Sequence, residues 1–205
     1  MFEVDDREGL KSTFDQIRET KSTYVIPGGG SNSTGALGYV AAMVEIAEQA
    51  QQTNIYPSHI VHASSSAGTQ AGLLAGARAL GFETTIIGIN VSHPDPADLI
   101  TNVTQLTEET QNRYELDTTV DIPVTVNHAY FGEGYGLMTD EAKAAIHMLA
   151  EMEGILFDPV YSGKALAALI DQINIGALQD SENVLLIHTG GVPALNVYES
   201  ELSKS

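Results

Sequence analysis

The chain contains no cysteine and no tryptophan. Without thiols it can form neither a disulfide nor a thiolate metal site, and this usage fits a reducing compartment such as the cytoplasm. Basic residues are also scarce: nine Lys and Arg stand against 27 Asp and Glu, giving a formal charge of -18 over 205 residues. Binding to a phosphate backbone needs clustered Lys and Arg, so nucleic acid is not an expected partner. The acidity reads as a solubilising surface, and an anionic ligand would have to be held by local backbone dipoles acting against the global field. No apolar run approaches the roughly 20 residues that cross a bilayer. The N-terminus, Met1-Phe2-Glu3-Val4-Asp5-Asp6, is acidic and has no apolar signal core, so no membrane partner is expected either.

What is present is a hydrophobic fraction of 43%, with Ala- and Gly-rich runs, enough for one sizeable buried core. Asp5 and Asp6 are placed to cap a first helix with Leu10, Phe14 and Ile17 on its apolar stripe. Tyr24-Val25-Ile26 reads as a short strand, followed by the loop Pro27-Gly28-Gly29-Gly30-Ser31-Asn32 and a helix carrying Leu37, Val40, Ala41, Val44 and Ala47 on one face. The alternation continues with a strand over 59–63, a turn over 64–69, a helix over 70–80 and a strand over 84–91. A helix over 94–116 follows, then a strand over 124–129, a helix capped by Thr139 running to 153, a helix over 163–175 and a strand over 184–187. Strands separated by helices predict an open, doubly wound, mostly parallel α/β sheet. Such sheets bind ligands at the carboxyl ends of their strands. The polar, Gly-rich segments lie at those ends, after Ile26, Ala63, Ala129 and Ile187, and predict one cleft.

The most informative stretch is Ile60-Val61-His62-Ala63-Ser64-Ser65-Ser66-Ala67-Gly68-Thr69-Gln70-Ala71-Gly72. Its small residues leave backbone N–H groups free to face outward at a helix N-terminus, with hydroxyls from Ser65, Ser66 and Thr69 beside them. That arrangement suits a phosphate; it equally suits an ordinary strand-to-helix turn with a serine cap. Other nucleotide and hydrolase signatures are missing. No Gly-Lys-Ser/Thr follows the turn, Ser33 replaces the third glycine of a dinucleotide fingerprint begun by Gly28 and Gly30, and no G-x-S-x-G elbow occurs. His59 and His62 point to opposite faces of a strand, and the six histidines show no metal-ligand spacing. Most of the histidines read as structural or surface residues, with His188, at a strand end, the exception.

Five segments, in order, resemble the family that contains D-cysteine desulfhydrase and 1-aminocyclopropane-1-carboxylate (ACC) deaminase. They are 27–32, Ala36-Leu37-Gly38-Tyr39-Val40, 67–72, Glu153-Gly154-Ile155-Leu156-Phe157-Asp158-Pro159-Val160-Tyr161-Ser162-Gly163-Lys164 and His188-Thr189-Gly190-Gly191-Val192-Pro193-Ala194-Leu195. The resemblance runs from about Tyr24 to Tyr198. It implies the tryptophan-synthase-β-like fold of pyridoxal-phosphate (PLP) enzymes, a homodimer, and PLP as cofactor. Ser65, Ser66, Ala67, Gly68 and Thr69 would form the phosphate cup, and Tyr135 and Tyr161 would be the two active-site tyrosines. Ser31 and Asn32 would contact substrate. A phenol there can orient the substrate or, if neighbours lower its pKa, relay a proton.

ACC deaminases carry a glutamate after the second tyrosine and a leucine before the Gly-Gly pair. Ser162 and Thr189 take those places here, implying a neutral hydrogen bond near the pyridine ring and a D-cysteine desulfhydrase pattern. The implied reaction is α,β-elimination of D-cysteine to pyruvate, sulfide and ammonia. An ACC-deaminase-type ring-opening lyase is the alternative. The resemblance further implies that residues 1–22 end a small domain, that 23–205 form the large PLP-binding domain, and that the family's lysine-bearing N-terminal segment is missing. None of Lys11, Lys21, Lys143, Lys164 and Lys204 matches the cofactor lysine, and Lys164 is expected to be structural. The chain would then be a truncated enzyme, one half of a split enzyme completed by a second chain, or a module that binds a phosphorylated ligand without catalysis.

Overall fold

A computed structural model describes residues 7–20, 22–178 and 183–203. Asp5 and Asp6, and the capping expected of them, lie outside the described residues. Helix α1 spans Arg7–Thr20 and α2 spans Ser33–Thr53. There follow β1 (His59–Ser64), α3 (Gly68–Leu80), β2 (Thr85–Asn90), α4 (Pro96–Arg113) and β3 (Thr125–Asn127). The chain continues with α5 (Asp140–Glu153), α6 (Ser162–Asn174), β4 (Val184–Leu186) and the short α7 (Glu199–Leu202).

The sheet has the order β3-β2-β1-β4, and every pair is parallel. β1, at its centre, is buried along almost its whole length, as a strand covered on both faces must be. On one face Ile60 and Ile86 meet Met43, Leu73, Leu74, Leu99 and Val103 from α2, α3 and α4. On the other, Val61, Ala63 and Ile89 meet Ala165 and Ala168 of α6, with α5 packed outside α6. Close approach of α2 and α3 depends on glycine. A Cβ at Gly72 would stand 2.3 Å from the Ala36 carbonyl oxygen, and one at Gly76 would stand 2.7 Å from the Met43 Cβ.

Local signals set the helix ends. Asn32 accepts a hydrogen bond from Gly35 N at the start of α2, Asp95 from Ala97 N before Pro96, and Thr139 from Ala142 N. One expected strand is absent: residues 24–26 are irregular and pair with no strand of the described sheet. Tyr24 and Ile26 are 71% and 72% exposed. A three-residue apolar run is strand only if a neighbouring backbone accepts it. No helix among the described residues is long and apolar enough to cross a membrane.

Candidate active site

Because all four strands are parallel, their carboxyl ends face one side, and a cavity of 490 Å³ opens there. Its walls come from Gly28 and Gly29, Tyr39 of α2, residues 63–67, Thr69, Tyr135, Tyr161, Thr189 and Gly191. Five parts of the chain far apart in sequence thus meet because each follows, or packs beside, a strand end.

The turn between β1 and α3 forms the floor. Ser64 faces inward, donating through Oγ to Gln70 Oε1 at 2.8 Å. Ala67 has φ +72, a left-handed conformation that turns the backbone into α3. No side chain caps α3, so the first-turn N–H groups, which have no intrahelical acceptors, are left for a ligand. With the hydroxyls of Ser65, Ser66 and Thr69 on the same wall, the donor set fits a phosphate dianion: compact, positive by dipole and free of carboxylates. Gly68 is buried behind this wall. Ser31 Oγ donates to Ser66 Oγ at 2.6 Å, and a Cβ at Gly29 would stand 2.3 Å from Ser66 Oγ, so the 28–31 loop braces the turn from behind.

Tyr135 and Tyr161 face each other across the opening, their rings 6.0 Å apart and inclined at 68°, with their hydroxyls hydrogen-bonded. The lowered pKa on which proton relay by a phenol depends is not found at Tyr161. Burial, followed by the hydrogen bond and charge of Tyr135, pushes it up to about 12. Tyr161 therefore stands in the chain as a neutral hydrogen-bonding phenol.

Not every expected residue reaches the cavity. Thr189 does; Ser162, Ser31 and Asn32 do not. Ser162 is 1% exposed, and its hydroxyl donates to Asp158 Oδ1 at 2.6 Å while accepting from Asp158 N at 2.9 Å. Asn32 caps α2, and its Nδ2 reaches Tyr24 OH at 3.4 Å. His188 is also outside the lining; it packs against Phe157 and is hydrogen-bonded to Leu156 O and Gly190 N. Sequence reasoning left Tyr39, Gly28, Gly29, Ala63, Ser64 and Gly191 out of the site. All of them lie in or beside segments it had singled out; proximity to a strand end was the usable signal for Ala63, Ser64 and Gly191, and membership of a motif segment for Gly28, Gly29 and Tyr39. Among the described residues, no lysine lines the cavity.

Residues 3–190 match the family model described as pyridoxal-phosphate dependent enzyme. The chain belongs to that family. It is 45% identical to a D-cysteine desulfhydrase of Serratia proteamaculans and 46% identical to one of Klebsiella pneumoniae, over 179 residues in each case. Each match covers 87% of this chain and 53% of the relative, so the chain spans about half the length of these curated relatives. The crystal structure of an ACC deaminase homologue superimposes with a TM-score of 0.83 at 32% identity, covering 98% of this chain and 61% of that one. The fold is therefore the tryptophan-synthase-β-like fold of PLP enzymes, and the chain is a D-cysteine desulfhydrase-like region of such an enzyme.

Proposed function

We propose that this chain forms the phosphate-holding and substrate-facing side of a PLP site for α,β-elimination of D-cysteine. In that reaction the Cβ–S bond breaks, and with one water the substrate yields pyruvate, hydrogen sulfide and ammonia. The observation that carries the reading is the convergence of the uncapped α3 turn, Tyr135, Tyr161 and Thr189 on one 490 Å³ cavity. The chemistry supplied by bound PLP is an electron sink for bonds broken at the substrate α-carbon. Ser65, Ser66, Thr69 and the N–H groups of residues 67–69 hold its phosphate. Tyr161, a neutral phenol at neutral pH, orients the substrate by hydrogen bonding, with Tyr135 as its partner. Thr189 offers a neutral hydroxyl where an ACC deaminase has leucine, and this favours elimination over the ring-opening alternative. Ser162, spent on Asp158, contributes through the position of Tyr161.

A lysine from outside this cavity's walls completes the site, carried by a further segment or by a complementing chain. The working enzyme is a homodimer of the cytoplasm, with a small D-amino acid as its substrate and neither nucleic acid nor membrane as partner.

Calorimetry with the chain alone tests the cup. Pyridoxamine 5'-phosphate should bind at least tenfold more tightly than pyridoxamine, and Thr69→Val should reduce the difference. Equal binding of the two would remove the phosphate assignment and leave a phospholigand module without support. With the lysine-bearing portion of a relative supplied, sulfide release from D-cysteine should exceed 2-oxobutyrate release from ACC, and Tyr161→Phe and Thr189→Leu should each lower it. Elimination unchanged in both variants would sink the tyrosine and threonine assignments.

A further inference from the structure

The loop that carries Tyr135 has little to hold it from within. Residues 131–137 read Phe-Gly-Glu-Gly-Tyr-Gly-Leu, with Gly132 at φ +73 and Gly136 at φ +78. The backbone hydrogen bonds at this loop are Phe131 N to His128 O at 3.1 Å and Leu137 N to Gly134 O at 3.3 Å. Three glycines in seven residues leave the unfolded segment many conformations to lose. Tyr135 itself is 55% exposed, so burial does not fix it.

Beneath the loop lies Lys164, the third residue of α6, 0% exposed and first among the fully buried side chains by volume. Its Nζ donates to Phe131 O at 2.7 Å and to Gly134 O at 3.2 Å, and it lies 5.7 Å from the centroid of the Phe131 ring. No carboxylate is paired with it among the described residues. A buried ammonium without a counter-ion is tolerated only where dipoles replace its water. Here those dipoles are carbonyls of the Tyr135 loop, so the charge and the loop conformation depend on each other. A side chain needed only to fill space would serve as well without the ammonium. The far end of the loop has a second tie, the Tyr198 hydroxyl donating to Gly136 O.

We propose that Lys164 is the positioning residue for Tyr135, its buried ammonium gripping the Phe131 and Gly134 carbonyls so that the Tyr135 hydroxyl meets that of Tyr161. The importance of Tyr135 for chemistry rests on the function proposed above; the grip itself does not. Hydrogen exchange of the full chain, read by mass spectrometry on peptides covering Phe131 and Leu137, tests it without cofactor. In Lys164→Met, which keeps the apolar stem, exchange at those amides should rise at least tenfold, while β1 and β2 peptides stay within twofold of wild type.

Because a buried substitution can disturb folding, a second pair uses the absence of native cysteine. Lys164→Cys is alkylated while unfolded with either 2-bromoethylamine, which restores an ammonium at lysine reach, or 1-bromopropane, which gives a neutral side chain of the same length; both are then refolded. The aminoethyl form should recover slow loop exchange and the propyl form should not. Wild-type loop exchange in a folded Met or propyl protein overturns the proposal, as does identical behaviour of the two alkylated forms, including failure of both to refold. Failure of the PLP reading would appear instead as absent binding of pyridoxamine 5'-phosphate to wild type, with the exchange result unaffected.

Discussion

Asp158→Asn should destabilise the chain by about 3 kcal/mol, through a buried carboxylate that does not itself line the cavity. Asp158 is 0% exposed and accepts four hydrogen bonds. Val160 N and Tyr161 N reach Oδ2, each at 2.8 Å; Ser162 N reaches Oδ1 at 2.8 Å and Ser162 Oγ reaches it at 2.6 Å. Bonds to an ionised acceptor contribute about 1.5–3 kcal/mol each, and a buried donor left without an acceptor costs about 1–3 kcal/mol. An asparagine turned with its amide nitrogen at Oδ2 would face two backbone N–H groups. Turned the other way it faces one backbone N–H and a hydroxyl that can rotate to accept. The second orientation is the cheaper: one orphaned N–H, together with weakening of the remaining bonds by loss of charge, sums to about 3 kcal/mol. For a chain of this length that lowers Tm by roughly 6–12 °C. Thermal melts followed by circular dichroism at 222 nm provide the assay, with Asp158→Ala expected to melt lower still. A Tm for Asp158→Asn within about 2 °C of wild type would refute the reasoning, because it would mean that the four contacts contribute nothing net.

Three further outcomes follow from other buried groups. His62 is 0% exposed, its Nε2 has no hydrogen-bond partner, and burial lowers its pKa from 6.5 to about 4. The unfolded chain therefore takes the proton first as pH falls; the stability is complete above about pH 6.5 and lost progressively towards pH 4. At about 1.4 kcal/mol per pH unit the loss is ~2.5 kcal/mol at pH 4.5. Urea melts at pH 7 and 4.5 should show that much less acid sensitivity in His62→Leu; parallel pH dependence in the two proteins would count against it. At Gly88 a Cβ would stand 2.1 Å from Gln70 Oε1 and displace a side chain that accepts from Ser64 and donates to Thr125 O at 2.7 Å. Gly88→Ala should cost ~2–4 kcal/mol, read as a lower urea midpoint. Borohydride reduction with PLP, followed by peptide mass spectrometry, should give no phosphopyridoxyl adduct on Lys164, whose Nζ is committed to two carbonyls outside the cavity lining. A stoichiometric adduct there would show that the chain carries its own anchor.

The alternation of helices and strands was legible because it depends on local period and on caps. Residues 59–63 read as a buried strand, Thr139 marks a helix start, Pro94 or Pro96 suits another, of which the structure uses Pro96, and Gly28–Asn32, Ser64–Thr69 and Thr189–Gly191 stand at strand or helix boundaries. From that order alone a parallel sheet with one ligand edge follows, and so does most of the cavity wall.

The sequence could not say which hydroxyl or amide would be free. Ser31 is bound to Ser66, 35 residues away, Ser162 to Asp158 and Asn32 to the start of α2, so three expected ligand contacts serve the scaffold. Tyr24 to Ile26 has strand composition but no partner in the described sheet, since pairing belongs to two segments and not to one. The direction of the Tyr161 pKa depends on burial and on Tyr135, and the place of Lys164 depends on a loop 30 residues before it. Sequence by itself determined the elements, their order and the small-residue turn, because these rest on interactions within a few residues. Tertiary structure alone decided which polar groups face the cavity, because a hydrogen-bonding group is available to a ligand only if no distant part of the chain has already satisfied it.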